Sequence, residues 1–243
     1  MPPGRSLSWM VCKVAGTGYS RSGWCAVRKV AGTLRVPSAM TPKFIYFDLG
    51  KVLVDFSFEQ MCRQMGDAAG MGPEQVAEVL ASGLQADYEA GKLDSRAAHQ
   101  RFCRETGTQA DYDSFSRACN EIFTPIVSML PVVAQLHQAG HRLGILSNTC
   151  EGHWNYCLGR YTILRELFSV YALSYQIGAV KPSAAIFCQA AELAGCRPEE
   201  IFYTDDIAGH VAGAKAAGFD AVVYTSTAEL VKELRVRDVE FNY

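Results

Sequence analysis

Four short stretches of this chain hold residues that could act together on a ligand. Phe44-Ile-Tyr-Phe47 runs straight into Asp48. Leu143-Gly-Ile-Leu146 runs into Ser147-Asn148-Thr149, and Ile201-Phe-Tyr-Thr204 into Asp205-Asp206. Lys181 lies in the segment Gly178-Ala-Val-Lys-Pro182. Three carboxylates brought to one point repel one another unless a cation joins them. Hard oxygen ligands of this kind suit Mg2+, which keeps several waters and takes one or two carboxylates together with a substrate phosphate. Ser147 and Asn148 offer hydroxyl, amide and backbone N–H donors for an oxyanion at a strand-to-helix turn. Lys181 adds positive charge for a phosphate. An Asp that attacks phosphorus and carries it as an acyl-phosphate is an established form of covalent catalysis.

These groups meet only if the fold brings them together. Each apolar run is short and rich in β-favouring residues, as in a buried strand. Helical patterns alternate with the strands: Thr124-Pro125 reads as an N-cap and first helical residue, opening a helix with Ile126, Leu130, Val133 and Leu136 on one face. A weaker strand is expected at Tyr171–Ser174, helices at 184–193, 211–217 and 227–234, and a last strand at 221–224. Strands alternating with helices predict an α/β fold, a Rossmann-like parallel sheet with helices on both faces. The carboxyl ends of such strands are where open α/β sheets bind ligands. Between Asp48 and Thr124 lies a long helical stretch, too long for a simple crossover. Val76, Val79, Leu80 and Leu84 recur there at helical spacing, and Asp94 can cap a helix that ends near Gly107. The expected organisation is an α/β core from 40–56 and 126–243, with 57–125 inserted as a helical cap over the strand ends.

Composition narrows the function classes. The 243 residues are 49% hydrophobic with net charge −2, so no bulk charge points to nucleic acid. No apolar stretch approaches the ~18 residues of a membrane span. Residues 1–39 hold six Lys/Arg and no Asp or Glu, against 17 basic and 25 acidic residues from Met40 onward. Such a basic segment reads as a transit-type peptide, a disordered arm or a misassigned extension. Met40, just ahead of the first strand, is the expected true start. The nine Cys are odd in number and form no Cys-x-x-Cys pair, so reduced thiols of a cytoplasmic protein are expected rather than a disulfide framework or zinc site.

From about 43 to 235 the chain resembles the haloacid dehalogenase superfamily, with a helical cap inserted after the first motif. Phe47-Asp-Leu-Gly-Lys-Val-Leu-Val resembles its first motif and Leu146-Ser-Asn-Thr its second. Val180-Lys-Pro resembles the third, and Phe202-Tyr-Thr-Asp-Asp206 followed by Gly213-Ala-x-x-Ala-Gly218 the fourth. Asp-x-Gly together with Leu-Ser-Asn-Thr-x-x-x-His153 is most similar to bacterial phosphatases acting on α-D-glucose 1-phosphate. The resemblance implies a Mg2+-dependent phosphatase of a small phosphorylated metabolite. Asp48 would be the nucleophile and a metal ligand, the Gly50 carbonyl a second ligand, and Asp205 and Asp206 would complete the metal site. Ser147 and Asn148 would hold the phosphate, Lys181 would balance charge, and His153 would touch substrate. The family usually has an acid/base Asp where this chain has Gly50. That difference keeps a weakly catalytic phospho-ligand-binding protein in view, beside a metal-free dehalogenase that would displace halide with the same Asp.

Other residues are less specific. His210 follows Asp205-Asp206 and reads equally as a second-shell contact or a surface residue. His137 and His141 flank a helix end at Gly140 and suit surface roles. Tyr88-Glu89-Ala-Gly91-Lys92 could be a specificity loop or a plain interhelical turn. Gly16-Thr-Gly18 lacks the spacing of a dinucleotide loop.

Overall fold

Burial with a period of two shapes the first strand of the protein. The computed structural model describes residues 41–243; the expectations for residues 1–39 and for Met40 as a start lie outside them. In β1 (Phe44–Phe47) all four side chains are buried. Phe44 and Tyr46 pack into one apolar cluster, Ile45 and Phe47 into another. The strand is therefore covered on both faces, as parallel sheets require.

The remaining strands are β2 (Val54–Asp55), β3 (Thr124–Pro125), β4 (Leu143–Ser147), β5 (Val170–Leu173), β6 (Ile201–Asp205) and β7 (Asp220–Val223). β5, β4, β1, β6 and β7 form one parallel sheet in that order, the Rossmann-like α/β architecture expected from the alternating pattern. Phe47 stands opposite Ile145 on one side and Thr204 on the other. Asp48, Ser147 and Asp205 thus leave the sheet at nearly the same level on the same edge. Helices 184–194 and 208–216 cover one face through Ile186, Phe187, Ala190, Val211 and Ala214. Helices 129–138 and 227–235 cover the other through Val132, Leu136, Leu230 and Leu234.

Between β2 and β3 the chain runs through helices Phe58–Ala69, Pro73–Val79, Gln85–Glu89, Ser95–Thr106 and Tyr112–Asn120. Side-chain caps set their starts: Ser57, Asp94 and Asp111 each accept from the backbone N–H three residues on. The helical pattern around Leu80 is interrupted by a π-turn, Leu80–Leu84, in which Gly83 takes φ 114°. Met61, Met65, Val76, Leu84 and Phe115 from these helices belong to the same apolar cluster as Ile45 and Phe47. Insert and sheet share one core.

Thr124-Pro125 does not open a helix. It pairs antiparallel with Val54–Asp55, and the Ile126 N–H donates to the Leu53 carbonyl at 2.9 Å. A two-stranded ribbon tolerates a proline on its open edge, where no ladder donor is needed. The chain enters and leaves the helical insert through this ribbon. The following helix starts at Met129, and its buried face is Met129, Val132, Val133 and Leu136, with Leu130 only partly covered.

Candidate active site

Strand ends place the acidic residues. Asp48 follows β1, and its N–H donates to the carbonyl of Thr204 at 2.9 Å. Its side chain turns back, with Oδ1 accepting from the Leu49 N–H at 2.7 Å. Asp205 ends β6, fully buried, with Oδ1 accepting from the Ile207 N–H at 2.7 Å. Between them stands the Lys181 ammonium, 3.0 Å from Asp48 Oδ2 and 2.6 Å from Asp205 Oδ2. It also donates to the Leu146 carbonyl at 3.1 Å and the Tyr203 hydroxyl at 2.9 Å. Tyr203 in turn donates to Asp205 Oδ2. His210 Nδ1 lies 3.1 Å from both oxygens of Asp205.

The electrostatics follow from that crowding. Burial pushes the Asp48 carboxyl up to about 7; Lys181 pulls it back down, and Asp205 and Asp206 push it further up. At Asp205 burial also favours the neutral acid, yet Lys181 and His210 outweigh it and hold the group well below the usual carboxylate range. Burial acts to lower the Lys181 ammonium, but its two carboxylate partners raise it above its ordinary value. Asp206 is half-buried and raised by that burial and by the charge of Asp205. The cluster thus gathers more carboxylates than one lysine neutralises, and the Asp48 carboxyl is raised accordingly. A divalent cation would relieve the same excess.

Asp48, Asp205 and His210 present ligand atoms that all lie within 4.8 Å of one another. The two carboxylates suit Mg2+. Asp206 stands beside this group rather than in it. Gly50 bridges to Val54 in the turn behind Asp48, and a Cβ there would lie 2.9 Å from the Phe56 ring.

The second strand end is arranged around Lys181. Asn148 Oδ1 accepts from the Lys181 N–H at 2.7 Å, and its Nδ2 donates to the Lys181 carbonyl at 3.1 Å. Asn148 therefore fixes the lysine loop and keeps one amide hydrogen for a ligand. Ser147 is buried, and its hydroxyl makes a 3.4 Å contact to the Asn148 carbonyl, at the weak end of hydrogen bonding. The Thr149 N–H donates to Ser174 Oγ at 3.0 Å. Helix Glu151–Arg160 begins just beyond, and its Gly152 N–H donates to the Tyr88 hydroxyl of the insert at 2.9 Å.

His153 lies in helix Glu151–Arg160. It packs edge-on against Phe123, ring centroids 5.1 Å apart, and lines a largely apolar cavity with Met61, Met65, Leu84, Tyr88 and Glu89. Burial pushes its imidazole down to about 4. Tyr203 and His210 join the cluster although the sequence reading gave neither a firm role. Tyr203 carried a signal: two residues before Asp205 on a strand, it shares the same face.

The sequence matches haloacid dehalogenase-like hydrolases over residues 42–218, most of the chain. A glyceraldehyde 3-phosphate phosphatase of Methanopyrus kandleri is 32% identical over 100 residues, 40% of this chain and 42% of that protein's length. A haloacid dehalogenase-family enzyme of Bacteroides thetaiotaomicron, crystallised with magnesium and inorganic phosphate, superposes with a TM-score of 0.68 at 21% identity, covering 75% of this chain and 93% of the other. The L-2-haloacid dehalogenase of Xanthobacter autotrophicus superposes at 0.57 with 19% identity, covering 80% of this chain and 82% of that one. The fold is common to both chemistries and does not choose between them. With its acidic strand ends gathered on one lysine and the family match running through all of them, the chain belongs to the haloacid dehalogenase-like hydrolases.

Proposed function

We propose that the protein is a phosphatase of a small phosphorylated metabolite, a sugar phosphate by its resemblance to the glucose 1-phosphate enzymes, and that Asp48 carries the phosphoryl group. The observation that carries this reading is the acidic excess around Lys181. A dehalogenase attacking carbon needs no such surplus, whereas a phosphatase that binds a cation does. Asp48 and Asp205, with the Gly50 carbonyl and Asp206 beside them, would hold Mg2+. When bound, the ion supplies positive charge to the phosphoryl oxygens.

In the first step a carboxylate oxygen of Asp48 bonds to phosphorus as the ester oxygen departs with its electron pair and takes up a proton. In the second, water bonds to phosphorus, loses a proton, and the Asp48 carboxylate leaves. Lys181 orients Asp48 and offsets charge on the transferring group. Ser147 and the remaining Asn148 amide hydrogen stabilise the phosphoryl oxygens. The helical insert, as a cap, supplies contacts to the rest of the substrate and keeps bulk water away.

The test is hydrolysis of phosphate monoesters by the full-length protein. Turnover is expected to require Mg2+, to stop with EDTA, and to fall by orders of magnitude in Asp48→Asn. Activity that survives either treatment contradicts the proposal.

A further inference from the structure

Gly50 offers no side chain to move a proton, and the Phe56 ring closes the space where one would begin. Another group must protonate the leaving oxygen or the reaction must do without. We propose that Glu89, carried by the helical insert, is that proton-transferring residue. The proposal rests on the phosphatase reading above.

Glu89 ends the short helix Gln85–Glu89 and lines the same cavity as His153 and Cys150. The cavity wall continues through Cys150 and His153 into the segment just after the Ser147-Asn148 loop, and the Glu89 carboxylate feels the charges of Lys181 and His210. It has no ion-pair partner among the described residues. Its side-chain hydrogen bond is to a neutral donor, Gln85 Nε2, at 2.8 Å. Burial raises it above the usual carboxylate range, while Gln85, Lys181 and His210 oppose that shift; Cys150, also facing it, is a buried thiol raised to about 12 and so uncharged.

The backbone holds Glu89 in register with the phosphate-binding loop. Its carbonyl lies 2.6 Å from Ser174 Oγ, the same atom that accepts from the Thr149 N–H at 3.0 Å. The Tyr88 hydroxyl accepts from the Gly152 N–H at 2.9 Å and lies 2.7 Å from Ser95 Oγ. Ser95 is tied by its N–H and hydroxyl to the Glu151 carboxylate at 3.0 and 2.6 Å. Loop 88–95 and the loop after β4 therefore move as one piece.

The chemistry balances without a further reagent. As the phosphorus–oxygen ester bond breaks, the proton on the Glu89 carboxyl passes to the leaving oxygen and an alcohol departs. As water then bonds to phosphorus and the bond to Asp48 breaks, the Glu89 carboxylate takes the water's proton. Inorganic phosphate is released and the acid is restored.

The experiment compares p-nitrophenyl phosphate, whose leaving group needs little protonation, with glycerol phosphate, whose alkoxide needs it most. Full-length Glu89→Gln, which keeps the Gln85 contact, is expected to lose about 10²–10⁴ in kcat/KM on glycerol phosphate and under about tenfold in kcat/KM on p-nitrophenyl phosphate, because only that parameter reports departure of the leaving group. The high-pH fall of kcat/KM in the wild type is expected to vanish in Glu89→Gln. An equal loss on both substrates, or none, overturns the role of Glu89 while Asp48-dependent turnover leaves the phosphatase reading intact. If the wild type turns over neither ester in an Asp48-dependent way, the phosphatase reading falls and takes this role with it.

Discussion

At Asp48 burial and two neighbouring carboxylates favour the neutral acid, and a single lysine favours the charge. The balance leaves a carboxyl that a bound cation would shift toward its ionised form. Removing Lys181 would leave two buried carboxylates without their shared ammonium, the costly half of a buried ion pair. His153 supplies a separate residue-scale prediction. Folding holds it near 4, below its usual 6.5, so between those values the unfolded chain binds more protons than the folded one. Stability is then present in full above about pH 6.5 and is lost as pH falls toward 4, by roughly 2–3 kcal/mol. Chemical denaturation between pH 4 and 7 checks this: His153→Phe should flatten the acid limb, and an unchanged limb would contradict it. Asp48, Lys181 and Asp205 were legible in the sequence because each follows a short apolar run or precedes a helix. His210 was only half legible, since a helix position shows spacing but not the direction its side chain faces.

At the scale of elements, the parallel strands were readable from their apolar runs, and one capped helix of the insert from Asp94. The ribbon was not. Val54–Asp55 and Thr124–Pro125 are two residues each, and their pairing is a contact between segments some seventy residues apart. Thr-Pro locally favours a helix start, and the distant partner overrides it. The segment Tyr88–Lys92 was readable as a possible specificity loop, but its tie from the Glu89 carbonyl to Ser174 was not, because that partner comes from elsewhere in the chain. Gly91 marks how closely insert and core approach. It has φ +70°, and a Cβ on it would lie 2.0 Å from the Tyr175 carbonyl oxygen. Gly91→Ala must therefore push the insert loop off the helix at Ser174–Ile177. The expected cost is about 1–3 kcal/mol, since strained φ and backbone overlap act together. Urea denaturation checks it, and a wild-type midpoint would show that the loop is not held there.

At the scale of the whole molecule, a parallel sheet does what no local pattern can. It brings Asp48, Ser147 and Asp205 to one edge because Phe47 is in register with both Ile145 and Thr204. The helical insert shares the core beneath that edge, so the strand ends and the insert's helices rest on one apolar cluster. Loss of a single acid or base typically costs about 10²–10⁴ in rate. Phosphate-monoester hydrolysis can be accelerated by as much as ~10²¹. A site lacking the usual carboxylate at Gly50 can therefore still be an enzyme, and the central claim is that Asp48 carries the phosphoryl group while it works. Rapid acid quench of the full-length protein during turnover of a radiolabelled phosphate monoester, followed by peptide mapping, tests this directly. Label is predicted on the peptide containing Asp48, released by hydroxylamine and absent from Asp48→Asn; turnover with the label on any other residue, or undiminished in Asp48→Asn, would contradict it.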